Sequence, residues 1–201
     1  MIRVLLAEDQ AMVRGALAAL LNREQDISIV AEVARGDEVV AAALRVVPDV
    51  ALLDIEMPGA TGIEAAGELH AHLPRCKVLI LTTFGRPGYL RRAMEQGVAG
   101  FLVKDAPAAQ LATAIRRAMA GERVVDPLLA TAALSEGDNP LTERERNVLQ
   151  QVQRGASNAE ISAALVLTEG TVRNYLSTAM QKLHANTRIE AAMRAEQKGW
   201  L

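Results

Sequence analysis

Five side chains able to do chemistry stand at the ends of short apolar runs. Arg3–Ala7 leads into Glu8 and Asp9, Val50–Leu53 into Asp54, Val78–Leu81 into Thr82, and Gly100–Val103 into Lys104. If these ends meet, three carboxylates share one place and repel each other unless a cation joins them. Oxygen donors with room for water suit Mg²⁺, which takes octahedral oxygen coordination at about 2.0–2.1 Å. A lysine and a hydroxyl beside such an ion can hold a phosphoryl group, the ammonium neutralising its charge and the hydroxyl donating to an oxygen. A carboxylate is itself a competent nucleophile, giving an aspartyl phosphate. Asp54, alone at the end of a central run, is the candidate. Taken singly, each residue has a plainer reading: Glu8 and Asp9 as helix caps, Thr82 as a backbone-bonded hydroxyl, Lys104 as solvated surface. Their joint placement at four run ends favours the chemical one.

That placement depends on what the runs are. With Ile27–Val33 there are five, too short for helices and continuous rather than alternating, as expected of strands buried on both faces of a parallel sheet. Amphipathic stretches separate them at Met12–Leu21, Asp37–Val46, Gly62–His72 and Tyr89–Glu95, and Ala108–Ala120 follows the last. Five strand–helix alternations predict an α/β doubly wound domain with a five-stranded parallel sheet over residues 1–121. Ligands of such sheets bind beyond the carboxyl ends of the strands.

The pattern changes after Gly121. Residues 122–139 read as a linker, with turn formers clustered at Ser135–Pro140. Residues 140–201 read as an all-α domain of four helices. Three starts carry a Ser/Thr followed three residues on by Glu, at Thr142/Glu145, Ser157/Glu160 and Thr187/Glu190. A fourth follows Thr168, and Gly155 and Gly199 stand where helices should stop. Ser157–Leu165, a turn at Val166–Thr168 and Glu169–Leu183 have the length of a helix-turn-helix, with Ile161, Leu165, Val172 and Leu176 inward. Its second helix would offer DNA Thr168 and Thr171 at its head, then Arg173 and Asn174, then Ser177, Thr178 and Lys182. Arg pairs with guanine and Asn with adenine, while hydroxyls, lysines and helix N-termini meet phosphates. An ordinary helical bundle with a polar face is the plain alternative.

Composition narrows the classes. The 201 residues carry a net charge of −2, with 50% apolar and 23% charged residues, which excludes a basic nucleic-acid coat and an acidic disordered tail as whole-chain descriptions. Residues 140–201 hold eight basic and six acidic side chains, a slight tilt toward a polyanionic partner. With aromatics at only 2%, the core must be aliphatic and Ala-rich. The single cysteine, Cys76, excludes an internal disulfide and a multi-cysteine zinc site. It lies between Arg75 and Lys77, a setting for either a lowered thiol pKa or an incidental buried thiol. No apolar run reaches the roughly 20 residues of a membrane span, and the early acid pair leaves no signal-peptide core, so a soluble, cytoplasmic chain is expected.

Ala7-Glu8-Asp9-Gln10, Leu53-Asp54-Ile55-Glu56-Met57-Pro58-Gly59, Leu81-Thr82-Thr83 and Gly100-Phe101-Leu102-Val103-Lys104-Asp105 resemble the CheY-like receiver domain of bacterial two-component response regulators. The resemblance implies Asp54 as phosphoacceptor, with Asp9 and Asp54 as direct Mg²⁺ ligands. It implies that Glu8, where many receivers have Asp, acts through water, and that the Glu56 carbonyl completes the protein ligands. It pairs Lys104 with the phosphoryl group and makes Thr82 and Phe101 the switch pair, acting through the loop Thr83–Pro87. Leu141-Thr-Glu-Arg-Glu-Arg146, Gly155, Asn158, Ile161, Leu165, Thr171-Val172-Arg173, Leu183, Thr187-Arg188 and Ala191-Ala192 resemble the LuxR-type DNA-binding domain. Together they give the NarL/FixJ architecture. A tyrosine, Tyr175, stands where histidine is frequent.

The family implies a transcription regulator rather than an enzyme, catalysing only its own phosphorylation and dephosphorylation. It implies a sensor histidine kinase, promoter DNA and RNA polymerase as partners, and a homodimer when phosphorylated. Thr187–Lys198 would be the pairing helix on DNA. Met12, Leu17, Leu111 and Ile115 are candidates for receiver pairing, or else face the sheet. Arg86-Pro87-Gly88-Tyr89, Gly170–Tyr175 and Lys198-Gly199-Trp200 narrow the likeness to a group with a DesK-like membrane kinase that controls lipid desaturation. Gln10 would either reach the phosphoryl group and its attacking water or be a plain first-turn residue. A haloacid-dehalogenase-type phosphatase would want Asp where Glu56 stands. A dinucleotide oxidoreductase would want glycines where Glu8-Asp9-Gln10 stands. A phosphorylation-independent DNA-binding protein with a structural receiver is the remaining rival.

Overall fold

The computed structural model describes residues 1–83, 87–104, 108–127, 129–131 and 139–201. Phe84 and Arg86, the middle of the expected switch loop, lie outside the described residues, as do Asp105 and most of the Ser135–Pro140 turn cluster. Two compact units divide the chain.

The first unit alternates as the apolar runs predict. Strands β1 (Ile2–Ala7), β2 (Ile27–Val33), β3 (Val50–Asp54), β4 (Lys77–Thr82) and β5 (Gly100–Val103) are interleaved with helices α1 (Ala11–Leu21), α2 (Val39–Val46), α3 (Gly62–His72) and α4 (Pro87–Glu95) and followed by α5 (Ala108–Met119). Pairing is parallel throughout, in the order β2-β1-β3-β4-β5 and then a sixth strand. The order explains the composition of the runs. All five residues of central β3 are buried, whereas edge strand β2 is mostly half-buried. With period-2 alternation, Val4, Leu6, Leu52, Leu79 and Leu81 form one core with Ala18 and Leu21 of α1 and Leu111, Ile115 and Ala118 of α5. Leu5, Ala51, Leu53 and Ile80 are fully buried at the intervening positions.

Among the described residues the sheet has six strands, not five. β6 (Val124–Val125) pairs Val124 with Gly100 and Val125 with Phe101. Two residues carry no periodicity, so this strand is set by tertiary contact. A Cβ on Gly100 would lie 2.6 Å from the Val124 carbonyl oxygen, so only glycine lets β6 dock there. The chain after β6 then turns over Asp126, whose Oδ1 accepts from the Leu129 N–H at 3.3 Å.

The second unit holds α6 (Glu143–Gln153), α7 (Asn158–Leu165), α8 (Glu169–Lys182) and α9 (Arg188–Gln197). Reciprocal capping boxes close the starts of α6 and α7 at Thr142/Glu145 and Ser157/Glu160. The Thr187 hydroxyl caps α9, but Glu190 bonds the Asn186 N–H instead, so that box is only half made. Gly155 and Gly199 stop their helices in left-handed backbone at φ 80° and 66°. Val148, Leu149, Ile161, Val172, Leu176, Ala191 and Trp200 are among the core residues, with Leu165 and Tyr175 packed at its margin. The turn between α7 and α8 begins at Val166, a β-branched residue in left-handed backbone at φ 53°.

Candidate functional site

The parallel sheet brings the carboxyl ends of β1, β3, β4 and β5 to one edge, and the acid pair arrives there with them. One carboxylate oxygen from each of Glu8, Asp9 and Asp54 lies within 4.8 Å of the others. Glu8 and Asp54 are buried and Asp9 is exposed. Lys104 joins them: its Nζ is 2.6 Å from Glu8 Oε2 and 2.9 Å from Asp54 Oδ2. The Lys104 N–H donates to the Thr82 carbonyl at 2.7 Å, which fixes the end of β5 beside the end of β4, and Thr82 is buried.

Asp54 is held from behind. The Ile55 N–H donates to its Oδ1 at 2.8 Å, so Oδ2 is the oxygen turned to Lys104. Burial pushes the Asp54 carboxyl above the usual range, against the pull of Lys104 and the Ile55 N–H. Burial likewise raises Glu8, and the Asp54 charge adds to the rise, while Lys104 pulls the other way. Burial pulls the Lys104 ammonium down, but Glu8 and Asp54 outweigh it and its pKa ends above the ordinary value. One ammonium against three carboxylates leaves the pocket negative. An all-oxygen donor set with excess negative charge fits a hard divalent cation.

Glu56 lies two residues past Asp54 in the β3–α3 loop with its side chain exposed. This loop is pinned by the Gly36 N–H to the Pro58 carbonyl at 3.0 Å and by a Thr61/Glu64 capping box, a signal the sequence held unread. Phe101 is fully buried on β5. Leu111 and Ile115 are core residues and Leu17 packs against them, while Met12 is exposed. Burial pushes the Cys76 thiol up to about 11, the mark of an inert buried thiol.

In the second unit, α8 presents Arg173, Asn174, Ser177 and Thr178, all exposed on one face at helical spacing. Gln181, four residues past Ser177, extends that exposed stripe. Thr168 caps the helix, its Oγ1 accepting from the Thr171 N–H at 3.2 Å. Arg188 donates to Asn158 Oδ1 at 3.1 Å and lines a depression of about 640 Å³ with Ser157 and Arg173.

Lys182 is engaged differently. Its Nζ lies 2.7 Å and 3.0 Å from the two oxygens of buried Glu145, which also accepts from the Thr142 N–H. Burial raises the Glu145 carboxyl, but Lys182 and Thr142 pull harder and hold it below its ordinary 4.5. Such a carboxylate contributes stability above its unfolded pKa, and that contribution is lost as pH falls through the folded value. Glu145→Gln keeps the cap but breaks the ion pair. It is expected to destabilise this domain by about 2 kcal/mol at pH 7 and by less in denaturation below pH 4. An equal loss at both pH values would contradict the pairing.

Two family profiles match the chain: the response regulator receiver domain over residues 4–116, and the bacterial regulatory proteins of the luxR family over residues 139–195. The transcriptional regulatory protein DesR of Bacillus subtilis (strain 168) is 48% identical over 200 residues, spanning 100% of this chain and 99% of its own length. The uncharacterized transcriptional regulatory protein YvfU of the same organism is 45% identical over 201 residues, with 100% of both chains covered. Among solved structures, the response regulator ChrA of a heme-sensing two-component system is similar with a TM-score of 0.58 and 34% identity, covering 100% of this chain and 98% of that one.

Proposed function

The chain belongs to the response regulators that join a receiver domain to a LuxR-type DNA-binding domain, and from that premise we propose that phosphoryl transfer to Asp54 controls its binding to promoter DNA. It is a DNA-binding transcription regulator by family. The observation that carries the finer reading is the gathering of Glu8, Asp9 and Asp54 around one point with the Lys104 ammonium between two of them.

Asp9, Asp54 and the Glu56 carbonyl would hold Mg²⁺, with Glu8 acting through water. When bound, the ion offsets the charge of the transferring phosphoryl group. Asp54 Oδ2 attacks phosphorus, and the bond from phosphorus to the donor breaks with its electron pair leaving on the donor. The product carries about −1.5 to −2 charges and three acceptor oxygens. Asp54 is fixed on a strand, so Lys104 and Thr82 respond by moving. Lys104 exchanges a carboxylate for a phosphoryl oxygen, Thr82 donates its hydroxyl, and Phe101 follows. The receiver would occupy residues 1–121, the linker 122–139 and the DNA-binding domain 140–201. The donor would be a sensor histidine kinase, DesK-like by the likeness to DesR, with control of membrane lipid desaturation as the corresponding regulon.

Phosphorylation would favour a homodimer, since a two-fold operator doubles the contacts of one recognition helix. There α8 would read base edges with Arg173 and Asn174 and phosphates with Thr168, Thr171, Ser177 and Thr178. Lys182 reaches a phosphate only by leaving Glu145. RNA polymerase is the downstream partner, and the cytoplasm the compartment where kinase domain and promoter meet. Among the described residues no helix is long and apolar enough to cross a membrane.

Footprinting on the gene's own upstream region tests the reading. Acetyl phosphate with Mg²⁺ is expected to tighten protection by the parent at least tenfold and to leave Asp54→Ala unchanged, a shift of about 1.4 kcal/mol. Equal protection by both proteins would favour a receiver that is only structural.

A further inference from the structure

Arg14 has no place in the chemistry above, yet it is the side chain that holds the acid pair's backbone. From α1 its Nη1 donates to the Glu8 carbonyl oxygen at 2.6 Å and reaches the Asp9 carbonyl oxygen at 3.5 Å. Its Nε faces Glu32 Oε2 on β2 at 3.8 Å. The Glu8 N–H is meanwhile bonded to the Val33 carbonyl at 3.1 Å. Residue 8 is thus gripped at both ends of its backbone, by β2 through its N–H and by α1 through its carbonyl.

The start of α1 makes this grip consequential. Its N-cap residue, Gln10, makes no side-chain capping bond, and the first turn holds no acidic residue. The helix therefore does not fix its own entry, unlike α3, whose Thr61/Glu64 box fixes the loop after Asp54. Glu8 and Asp9 are adjacent like charges on this uncapped loop, and they repel when brought together to share a cation. A guanidinium is suited to restrain them, since Nη1 carries two N–H bonds fixed in a rigid plane, one able to serve each of two successive carbonyls.

We propose that Arg14 is the positioning residue of the acid pair, tying the β1–α1 loop so that Glu8 and Asp9 present their carboxylates to the divalent ion. This rests on the reading of the site as a Mg²⁺ centre. A nearby guanidinium acts on a cation in two opposing ways: by charge alone it repels Mg²⁺, and by geometry it assembles the ligands. The two are separable. Arg14→Met removes charge and donors, whereas Arg14→Lys keeps the charge but ends one bond short of Nη1 and lacks its rigid plane.

The test is calorimetric titration of the full chain with Mg²⁺, with metal-free melting curves alongside. Loss of a group that orients metal ligands costs about 10–100-fold in affinity. Both variants are therefore expected to bind Mg²⁺ at least about tenfold more weakly than the parent. Glu32→Gln, which leaves the bonds to the carbonyls in place, is expected to stay within about twofold. Arg14→Lys keeps the measurement decisive if Arg14→Met does not fold. Mg²⁺ affinity equal to or tighter than the parent's in either folded Arg14 variant would overturn the positioning role. A parent that binds no Mg²⁺ would instead overturn the reading of the site, and the role of Arg14 with it.

Discussion

Asp54→Asn will take up no phosphoryl group from acetyl phosphate, and the intact mass of the treated protein will equal that of the untreated one. The amide fits the same space and can still accept the Ile55 N–H, which now reaches Oδ1 at 2.8 Å. It lacks the anionic oxygen that faces Lys104 at 2.9 Å and would attack phosphorus. The loss should be complete rather than partial, because the other carboxylates of the cluster are not placed to substitute: Glu8 Oε2 is held by Lys104 at 2.6 Å and Asp9 is exposed. The same substitution should leave the metal-free fold at least as stable as the parent. Burial raises the Asp54 pKa in the folded state, so ionising it at neutral pH costs stability, and a neutral amide removes that cost. Lost labelling with an unchanged or higher melting temperature is the expected pair of results. A labelled Asp54→Asn protein would refute the assignment.

Gly62→Ala is expected to damage the receiver severely for a small chemical change. A Cβ on Gly62 would stand 1.9 Å from the Asp54 carbonyl oxygen and 2.9 Å from its carbon, and that neighbour is strand backbone that cannot swing aside. The Gly62 N–H also donates to the Ile55 carbonyl at 3.0 Å, so the start of α3 is pressed against the end of β3 by design of the loop. Forcing a methyl group into that contact costs about 3 kcal/mol. For a domain of this size the melting temperature should fall by roughly 10 °C. What yields is the β3–α3 loop carrying Glu56, so weaker Mg²⁺ binding should accompany the fall. An unchanged melting curve would show that this contact is looser than described.

The site was legible in the sequence to the extent that strand ends are. Glu8, Asp9, Asp54, Thr82 and Lys104 each end an apolar run, and parallel pairing obliges those ends to share an edge. The exposed face of α8 was legible for a similar reason, since Arg173, Asn174, Ser177 and Thr178 follow helical spacing between the buried Val172, Leu176 and Ala179. What escaped depends on contacts that no local period announces. Lys182 meets the buried carboxylate of Glu145 across 37 residues, a pairing that no local pattern announces. β6 exists because Gly100 leaves room for it, and two valines cannot announce a strand. Arg14 has the look of a solvated helix residue until α1 is seen to lack a cap of its own.

The most direct measurement is a map of where the phosphoryl group resides. The full chain is treated with acetyl phosphate and Mg²⁺, the acyl phosphate is trapped by borohydride reduction, and the peptides are sequenced by mass spectrometry. Modification at Asp54 alone, abolished when the divalent ion is chelated, is the predicted result. Modification at another carboxylate, or a chain left unmodified with Mg²⁺ present, would contradict the account.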